Sequence, residues 1–143
     1  MTPAPSVPVR GDALAVGGRA SVSRVITASD IALYAGVTAD FAPHHIDHAF
    51  GKATRFGSVI AHGLFIASLL DGALVALLPG GSLPVSRTFR FTAPVLPGDA
   101  ITAAVEVTGL AGREVTVQTT CTNQRGEVVV AGTATERLTR RRA

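Results

Sequence analysis

A carboxylate and an imidazole lie five positions apart in one polar segment of the chain, at Asp40 and His45. Pro43 lies between them, where its ring fixes φ and restricts Ala42 to extended geometry. A carboxylate and a neutral imidazole that lie close together can share a water molecule, so that one group takes its proton while the other supplies a proton elsewhere. The pair therefore suits the addition or removal of water, although a histidine bonded to the loop backbone and an aspartate in an Asx turn fit the same spacing.

A second chemical feature is the His62-Gly63 step, which opens a long apolar helix predicted over about 61–77. Free N–H groups at a helix start can polarise a carbonyl and stabilise an oxyanion. Gly63 has no side chain to block the approach of such a group. An aspartate, a histidine and a glycine N–H beside an apolar cavity together suit the addition or removal of water next to an activated carbonyl.

The first half of the chain must position these groups. Its sequence predicts one strand followed by helices. The strand is expected over 20–26. Thr27 and Asp30 form the pattern of a capping box that opens the first helix. The loop over 38–45 carries the polar pair, and a short helix follows it as far as Ala53.

The second half predicts strands, because apolar and polar residues alternate there with a period of two. The alternating segments cover about 85–92, 101–107, 115–121 and 127–138. Strands joined by tight turns pair antiparallel, and a long apolar helix needs a sheet to cover it. We therefore expect an α+β fold in which one curved antiparallel sheet wraps around a central helix.

Length and composition predict a single globular domain. The chain has 143 residues, of which 47% are hydrophobic and 16% charged, which excludes a disordered chain. The only cysteine, Cys121, excludes a disulfide framework and a multi-cysteine metal site, and its place on an alternating strand predicts a buried thiol. We expect a flexible lead-in over 1–14, the domain over 15–138 and a basic tail over 139–143.

The net charge of +3 does not predict a nucleic-acid partner, because four of the 13 basic residues lie in the last seven positions, as in a solvated tail. No basic helix accompanies it, and aromatic residues make up only 5% of the chain. The H-H-x-x-H run formed by His44, His45 and His48 matches no zinc template, so no metal is expected.

The apolar stretch over 58–78 is long enough to cross a bilayer. It contains Asp71, however, and a central aspartate costs about 2.5–3.5 kcal/mol on insertion scales. A buried core helix without membrane contact is the better expectation. Residues 1–9 lack the basic and apolar regions of a signal peptide, so the cytoplasm is the expected compartment.

Two runs, DFAPHHID and RFGSVIAHGLF, resemble the signature of the MaoC-like (R)-specific enoyl-CoA hydratases. That signature is roughly D-x-N-P-x-H-x-D and, after a short helix, F-x-x-x-I-x-H-G. The later FRFTAPVLPGD is similar to the F-x-x-P-V-x-x-G-D strand and turn of the same family. The resemblance covers about 16–138 and implies the hotdog fold, a long central helix wrapped by an antiparallel sheet, as a homodimer.

The resemblance implies a role for each matching residue. Asp40 and His45 correspond to the groups that hold and activate the water added across the 2,3 double bond of an enoyl thioester. Gly63 corresponds to the glycine whose N–H holds the thioester oxygen. The implied product is an (R)-3-hydroxyacyl thioester of coenzyme A or a carrier protein, made without a cofactor. Substrate contacts are further expected from Phe56, Ile60, His62, Asp71 and Arg87.

One position departs from the family pattern, because Ala42 stands where the family has an asparagine. The loss of that amide leaves open a non-catalytic binder of acyl thioesters, or a partner subunit that completes the site of another protein. A thioesterase on the same fold is a third possibility.

Overall fold

A five-stranded antiparallel sheet forms one layer of the computed structural model, which describes residues 14–78 and 80–139. The strand order is β1-β3-β4-β5-β2, so β1 and β2 are the edges. In chain order the strands are β1 (Arg19–Val25), β2 (Ser82–Phe91), β3 (Ala100–Ala111), β4 (Glu114–Thr122) and β5 (Val128–Leu138).

Strands β3 and β4 follow the predicted alternation and bury every second residue over most of their length. On β3 the buried residues include Ile101 and Val105, and on β4 they include Val115 and Cys121. Burial raises the pKa of the Cys121 thiol to about 12, which keeps it protonated. The prediction of an inert core cysteine is therefore confirmed.

Four helices precede β2 in the chain. They are α1 (Ala28–Thr38), α2 (Pro43–Ile46), α3 (His48–Ala53) and α4 (Gly63–Leu77). The capping box predicted at Thr27 is present, since its side chain accepts the N–H of Asp30 and the Asp30 carboxylate accepts the N–H of Thr27. The predicted loop over 38–45 differs from the structure at its end, because Pro43 at the first helical position starts α2.

Helix α4 lies across β1 and β3 and supplies the centre of the core. Phe65, Ile66 and Leu70 on one side of the helix are buried, whereas Leu64 and Val75 on the other side are exposed. The helix is therefore covered by its own sheet on one face only. Among the described residues, no helix combines the length and the apolar character that a membrane crossing requires.

The ends of the domain differ slightly from the predicted bounds. Leu14, expected in the lead-in, packs against the core, and the rest of the lead-in lies outside the described residues. Thr139, expected in the tail, donates a hydrogen bond to the carbonyl of Gly80, and residues 140–143 lie outside the described part. Strand β2 begins at Ser82, three residues earlier than the alternation indicates.

Candidate active site

A cavity of about 720 Å³ lies where α1, α2 and the start of α4 meet the end of β2 and the start of β5. Six of the eight site residues expected from the sequence line it. These are Asp40, His45, Phe56, Ile60, His62 and Gly63. Apolar residues at the end of β2, in the segment that follows it and at the start of β5 form part of the remaining wall.

Asp40 follows the end of α1 and is oriented by its own loop. Ala39 ends the helix in the left-handed conformation, with φ of 61°. Oδ1 of Asp40 accepts the N–H of Ala42 at 3.2 Å, which closes an Asx turn. Because Oδ1 is held in this way, Oδ2 is the oxygen that faces the histidines.

His45 is positioned by a contact between α2 and the segment that leads into α4. Its Nδ1 lies 2.7 Å from the carbonyl oxygen of Ile60, and the N–H of Ile60 bonds to the carbonyl of His44 at 2.9 Å. A carbonyl only accepts, so Nδ1 carries the proton and Nε2 of the neutral ring keeps its lone pair. Nε2 lies 3.8 Å from Oδ2 of Asp40.

The surroundings of His45 hold its pKa below the ordinary histidine value of 6.5. Burial is the largest cause, because it disfavours the charged ring, and the neighbouring His62 and His44 act in the same direction. The carbonyl of Ile60 and the carboxylate of Asp40 oppose the change. Near neutral pH, His45 is therefore a neutral ring with an available base at Nε2.

His62 lies directly against this pair and is only 3% exposed. Its Nε2–H donates to the main-chain carbonyl of Asp40 at 2.9 Å. Its ring stacks on that of His45, with centroids 3.7 Å apart and planes inclined by 23°. The ring of Tyr34 packs 4.9 Å away. His62 thus contacts both members of the Asp40–His45 pair.

Gly63 is the first residue of α4, so its N–H has no partner within the helix. It also lies tightly against the ring of Phe91 at the end of β2. A Cβ at this position would be 2.7 Å from Cδ1 of Phe91, which no real contact allows. Glycine therefore lets the aromatic ring cover the helix start beside the cavity.

Asp40, His45 and His62 together also offer three potential metal ligands, all within 4.8 Å of one another. The two imidazoles are nearly parallel, however, and Nε2 of His62 already donates to a carbonyl. Nitrogens of stacked rings do not converge on one point as the ligands of a tetrahedral site do. The geometry is that of a hydrogen-bonded stack around a small polar space.

Asp71 and Arg87, which were also expected to contact substrate, do not line the cavity. They pair with each other between α4 and β2, and Nη2 of Arg87 lies 2.6 Å from Oε1 of Glu136 on β5. Glu136 is 1% exposed and also accepts the hydroxyl of Ser82. Arg87 is therefore engaged in a partly buried ion-pair cluster rather than directed at a ligand.

Some lining residues were not singled out from the sequence as site residues. From the sequence, Tyr34 was predicted only to supply apolar surface on α1, and Phe91 only to be one of the alternating residues of a strand. Arg55 extends from the α3 end of the cavity, with its guanidinium 4.9 Å from the ring centre of Phe56. The only local signal for Phe91 is its place before Pro94 in the F-x-x-P pattern.

Comparison with known proteins places these features in one family. The family model described as MaoC like domain matches residues 16–130. An (R)-specific enoyl-CoA hydratase of Rhodospirillum rubrum is 42% identical, over 83% of this chain and 84% of its own. An enzyme of the same name from Aeromonas caviae is 39% identical, over 87% and 96%.

Solved structures agree with the sequence relatives. An (R)-hydratase of Aeromonas caviae, described as involved in PHA biosynthesis, superposes with a TM-score of 0.85 at 38% identity. The match covers 90% of this chain and 100% of that structure. The predicted hotdog fold is thereby confirmed, and it includes the elements that carry Asp40, His45 and Gly63.

Proposed function

The chain belongs to the MaoC-like domain family, and on this basis we propose that it is a hydro-lyase, an (R)-specific enoyl-CoA hydratase. It adds water across the 2,3 double bond of an enoyl thioester and catalyses the reverse dehydration. The observation that carries the proposal is the approach of Asp40 Oδ2 to His45 Nε2, 3.8 Å apart at a largely apolar cavity. The names of the relatives in Rhodospirillum rubrum and Aeromonas caviae support the same reaction.

In this mechanism one water molecule lies between Asp40 and His45. Nε2 of His45 is the base, because its lone pair is available and an imidazole ordinarily binds a proton more tightly than a carboxylate does. Asp40 accepts the second hydrogen of the water and offsets the positive charge that forms on the imidazole. This division of roles follows from the proton on Nδ1, which is committed to the carbonyl of Ile60.

The bonds then change in one balanced sequence. Nε2 takes a proton as the water oxygen bonds to C3, and the electron pair of the double bond moves toward the thioester oxygen. The N–H of Gly63, at the positive end of α4, donates to that oxygen. The proton on Nε2 then passes to C2, which restores the neutral histidine. Both new bonds form on the face that meets the dyad, so the addition is syn.

The alanine at position 42 is the reason for the alternative reading of the chain as a non-catalytic thioester binder or a partner subunit. The contact that orients Asp40 at this position is the main-chain N–H of Ala42, and a side-chain amide is not needed for it. Asp40 and His45, which transfer the protons, lie 3.8 Å apart with alanine at this position. This geometry favours an active enzyme.

Coenzyme A and carrier-protein thioesters present the same reacting atoms, and we favour coenzyme A on the names of the relatives. Arg55 is the cation that lines the cavity among the described residues, which suits it to a phosphate of the substrate. We also propose a cytoplasmic location, because the one cysteine of the chain is free and buried, so the protein uses no disulfide of the kind that oxidising compartments favour.

We further propose a homodimer in which β2 of one subunit pairs with β2 of the other. β2 is an edge strand and carries exposed apolar residues, among them Leu83 and Val85. Such an edge is a template for pairing with another strand. The exposed apolar residues Leu64 and Val75 of α4 also favour coverage by a second subunit.

The proposed reaction is tested by following the loss of the enoyl absorbance of crotonyl-CoA and resolving the enantiomers of the product. We expect (R)-3-hydroxybutyryl-CoA. Release of free thiol without hydration would instead indicate a thioesterase. Rates on matched coenzyme A and carrier-protein substrates distinguish the two thioester classes. Absence of hydration of every enoyl thioester by the folded dimer would support the non-catalytic alternative.

A further inference from the structure

From these contacts we infer that His62 is a positioning residue, which holds Asp40 and His45 in register for the transfer of the proton. The inference rests on the proposed function and goes beyond it, because it gives His62 a role other than contact with the substrate. His62 binds the loop of Asp40 through its Nε2–H and supports the ring of His45 through its face. One side chain thereby links the two groups that share the water.

The bond from His62 restrains a loop whose backbone is strained. Ala39, immediately before Asp40, has φ of 61°, a conformation that is costly for a residue with a Cβ other than asparagine or aspartate. Such a conformation persists only where neighbouring contacts impose it. The bond from Nε2 of His62 to the Asp40 carbonyl is such a contact, and it joins residues 22 positions apart.

The second ring nitrogen of His62 indicates that stability alone does not explain this residue. Nδ1 is buried and has no hydrogen-bond partner among the described residues. Since Nε2 carries the proton, Nδ1 is a buried acceptor without a protein partner among these residues, which disfavours folding. A phenylalanine would fill similar space without this penalty. Only one nitrogen of the His62 ring makes a hydrogen bond, and its partner is the carbonyl of Asp40.

Stacking against His62 also contributes to the charge state of His45, after burial. Rings 3.7 Å apart cannot both hold a positive charge at low cost, and His62 lowers the pKa of His45. The other groups facing His45 are His44, which acts in the same direction, and Asp40, which acts in the opposite direction. The ring of Tyr34 packs against His62. Replacement of His62 therefore has an effect on titration that a purely structural residue would not produce.

The test compares two variants that separate the donor from the ring. His62→Phe keeps a ring against His45 and removes the donor, whereas His62→Gln removes the ring and can keep an N–H near the Asp40 carbonyl. His48→Gln is the control, since His48 is exposed at the start of α3 and does not line the cavity. The readouts are kcat and KM for crotonyl-CoA, the pH profile and thermal stability.

We expect His62→Phe to lower kcat by about 30- to 100-fold, since a displacement of about 1 Å can cost about 100-fold. KM should stay within about twofold, Tm should not fall, and His62→Gln should recover most of the lost kcat. The acid limb of the profile should move to higher pH in both variants. A kcat of His62→Phe within about threefold of wild type overturns the inference, as does a loss confined to KM.

A second measurement separates this inference from the proposed reaction. The ring protons of His45 are titrated by NMR in wild type and in His62→Phe, without substrate. The inference requires the midpoint of His45 to rise in the variant, and an unchanged midpoint contradicts it. If wild type hydrates no enoyl thioester while this midpoint rises, the proposed function fails and the coupling between His62 and His45 stands.

Discussion

Oδ2 of Asp40 lies 3.8 Å from Nε2 of His45, too far for a direct hydrogen bond and close enough for one water molecule to bond to both. The two groups also differ in environment, because the side chain of His45 is 8% exposed and that of Asp40 is 51% exposed. An exposed carboxylate beside a buried neutral imidazole gives the water two acceptors in different surroundings. This division is the basis of the proposed mechanism.

We expect Asp40→Asn to lower kcat for crotonyl-CoA hydration by about 10²- to 10⁴-fold, because the charge that steadies the imidazolium is lost. The amide oxygen can still accept the N–H of Ala42, so the loop should keep its shape. The measurement is the decrease of the enoyl absorbance with time. Glu106→Gln, on β3 in an exposed pair with Arg19 of the edge strand β1, is the matched control. Retention of more than a tenth of the wild-type rate by Asp40→Asn would argue against the assigned role.

We expect kcat/KM to fall on the acid side with a midpoint below 6.5, because protonated His45 cannot act as a base and its pKa is lowered. The same shift affects stability. Since the unfolded chain has the higher pKa, this contribution is fully present above about 6.5 and is lost as the pH falls through the lowered value. A pH series of kcat/KM and of urea unfolding tests both statements. An acid midpoint above 6.5 would contradict the neutral-base assignment.

We expect Gly63→Ala to reduce kcat by about tenfold or more, because the new Cβ meets the ring of Phe91 and displaces the helix start from the thioester oxygen. The double variant with Phe91→Ala should lose less than the product of the two single effects, since the clash is then absent. Steady-state kinetics of the four proteins in this cycle give the coupling. Purely multiplicative effects would mean that Phe91 is not what makes glycine necessary.

We expect Glu136→Ala to lower the free energy of unfolding by about 3 kcal/mol, because it leaves the partly buried guanidinium of Arg87 with Asp71 alone. Urea unfolding monitored by circular dichroism measures the change. Glu114→Ala removes a carboxylate from an exposed pair with Arg137 and should cost less than about 1 kcal/mol. Equal losses of unfolding free energy in the two variants would show that the ion pair of Glu136 contributes no more to stability than an exposed pair.

We expect the double variant Leu83→Lys/Val85→Lys to sediment as a monomer, because charged side chains on an edge strand oppose pairing with a second copy. Val16→Lys replaces an exposed apolar residue that precedes β1, at the opposite edge of the sheet, and should remain a dimer. Sedimentation velocity at several concentrations distinguishes these outcomes. A dimer that survives the double variant would place the interface elsewhere.

Local patterns determined the elements of this protein. Alternation with a period of two predicted the strands of the second half, and the capping box at Thr27 predicted the start of α1. Asp40, His45 and Gly63 were singled out by residue type and spacing, and their roles were assigned by the resemblance of the two motifs to the family signature. The capping box and the alternation depend on residues that are close together in the sequence.

The tertiary structure decided the contacts between distant residues. His62 meets the carbonyl of Asp40, 22 positions earlier, only because α4 begins where α1 ends. Asp71 was expected near the substrate but faces Arg87 on β2, away from the cavity, because α4 crosses the sheet at that point. No local sequence pattern predicts these two contacts. They follow from the way the helix packs on the sheet, which depends on the shapes of all the side chains between them.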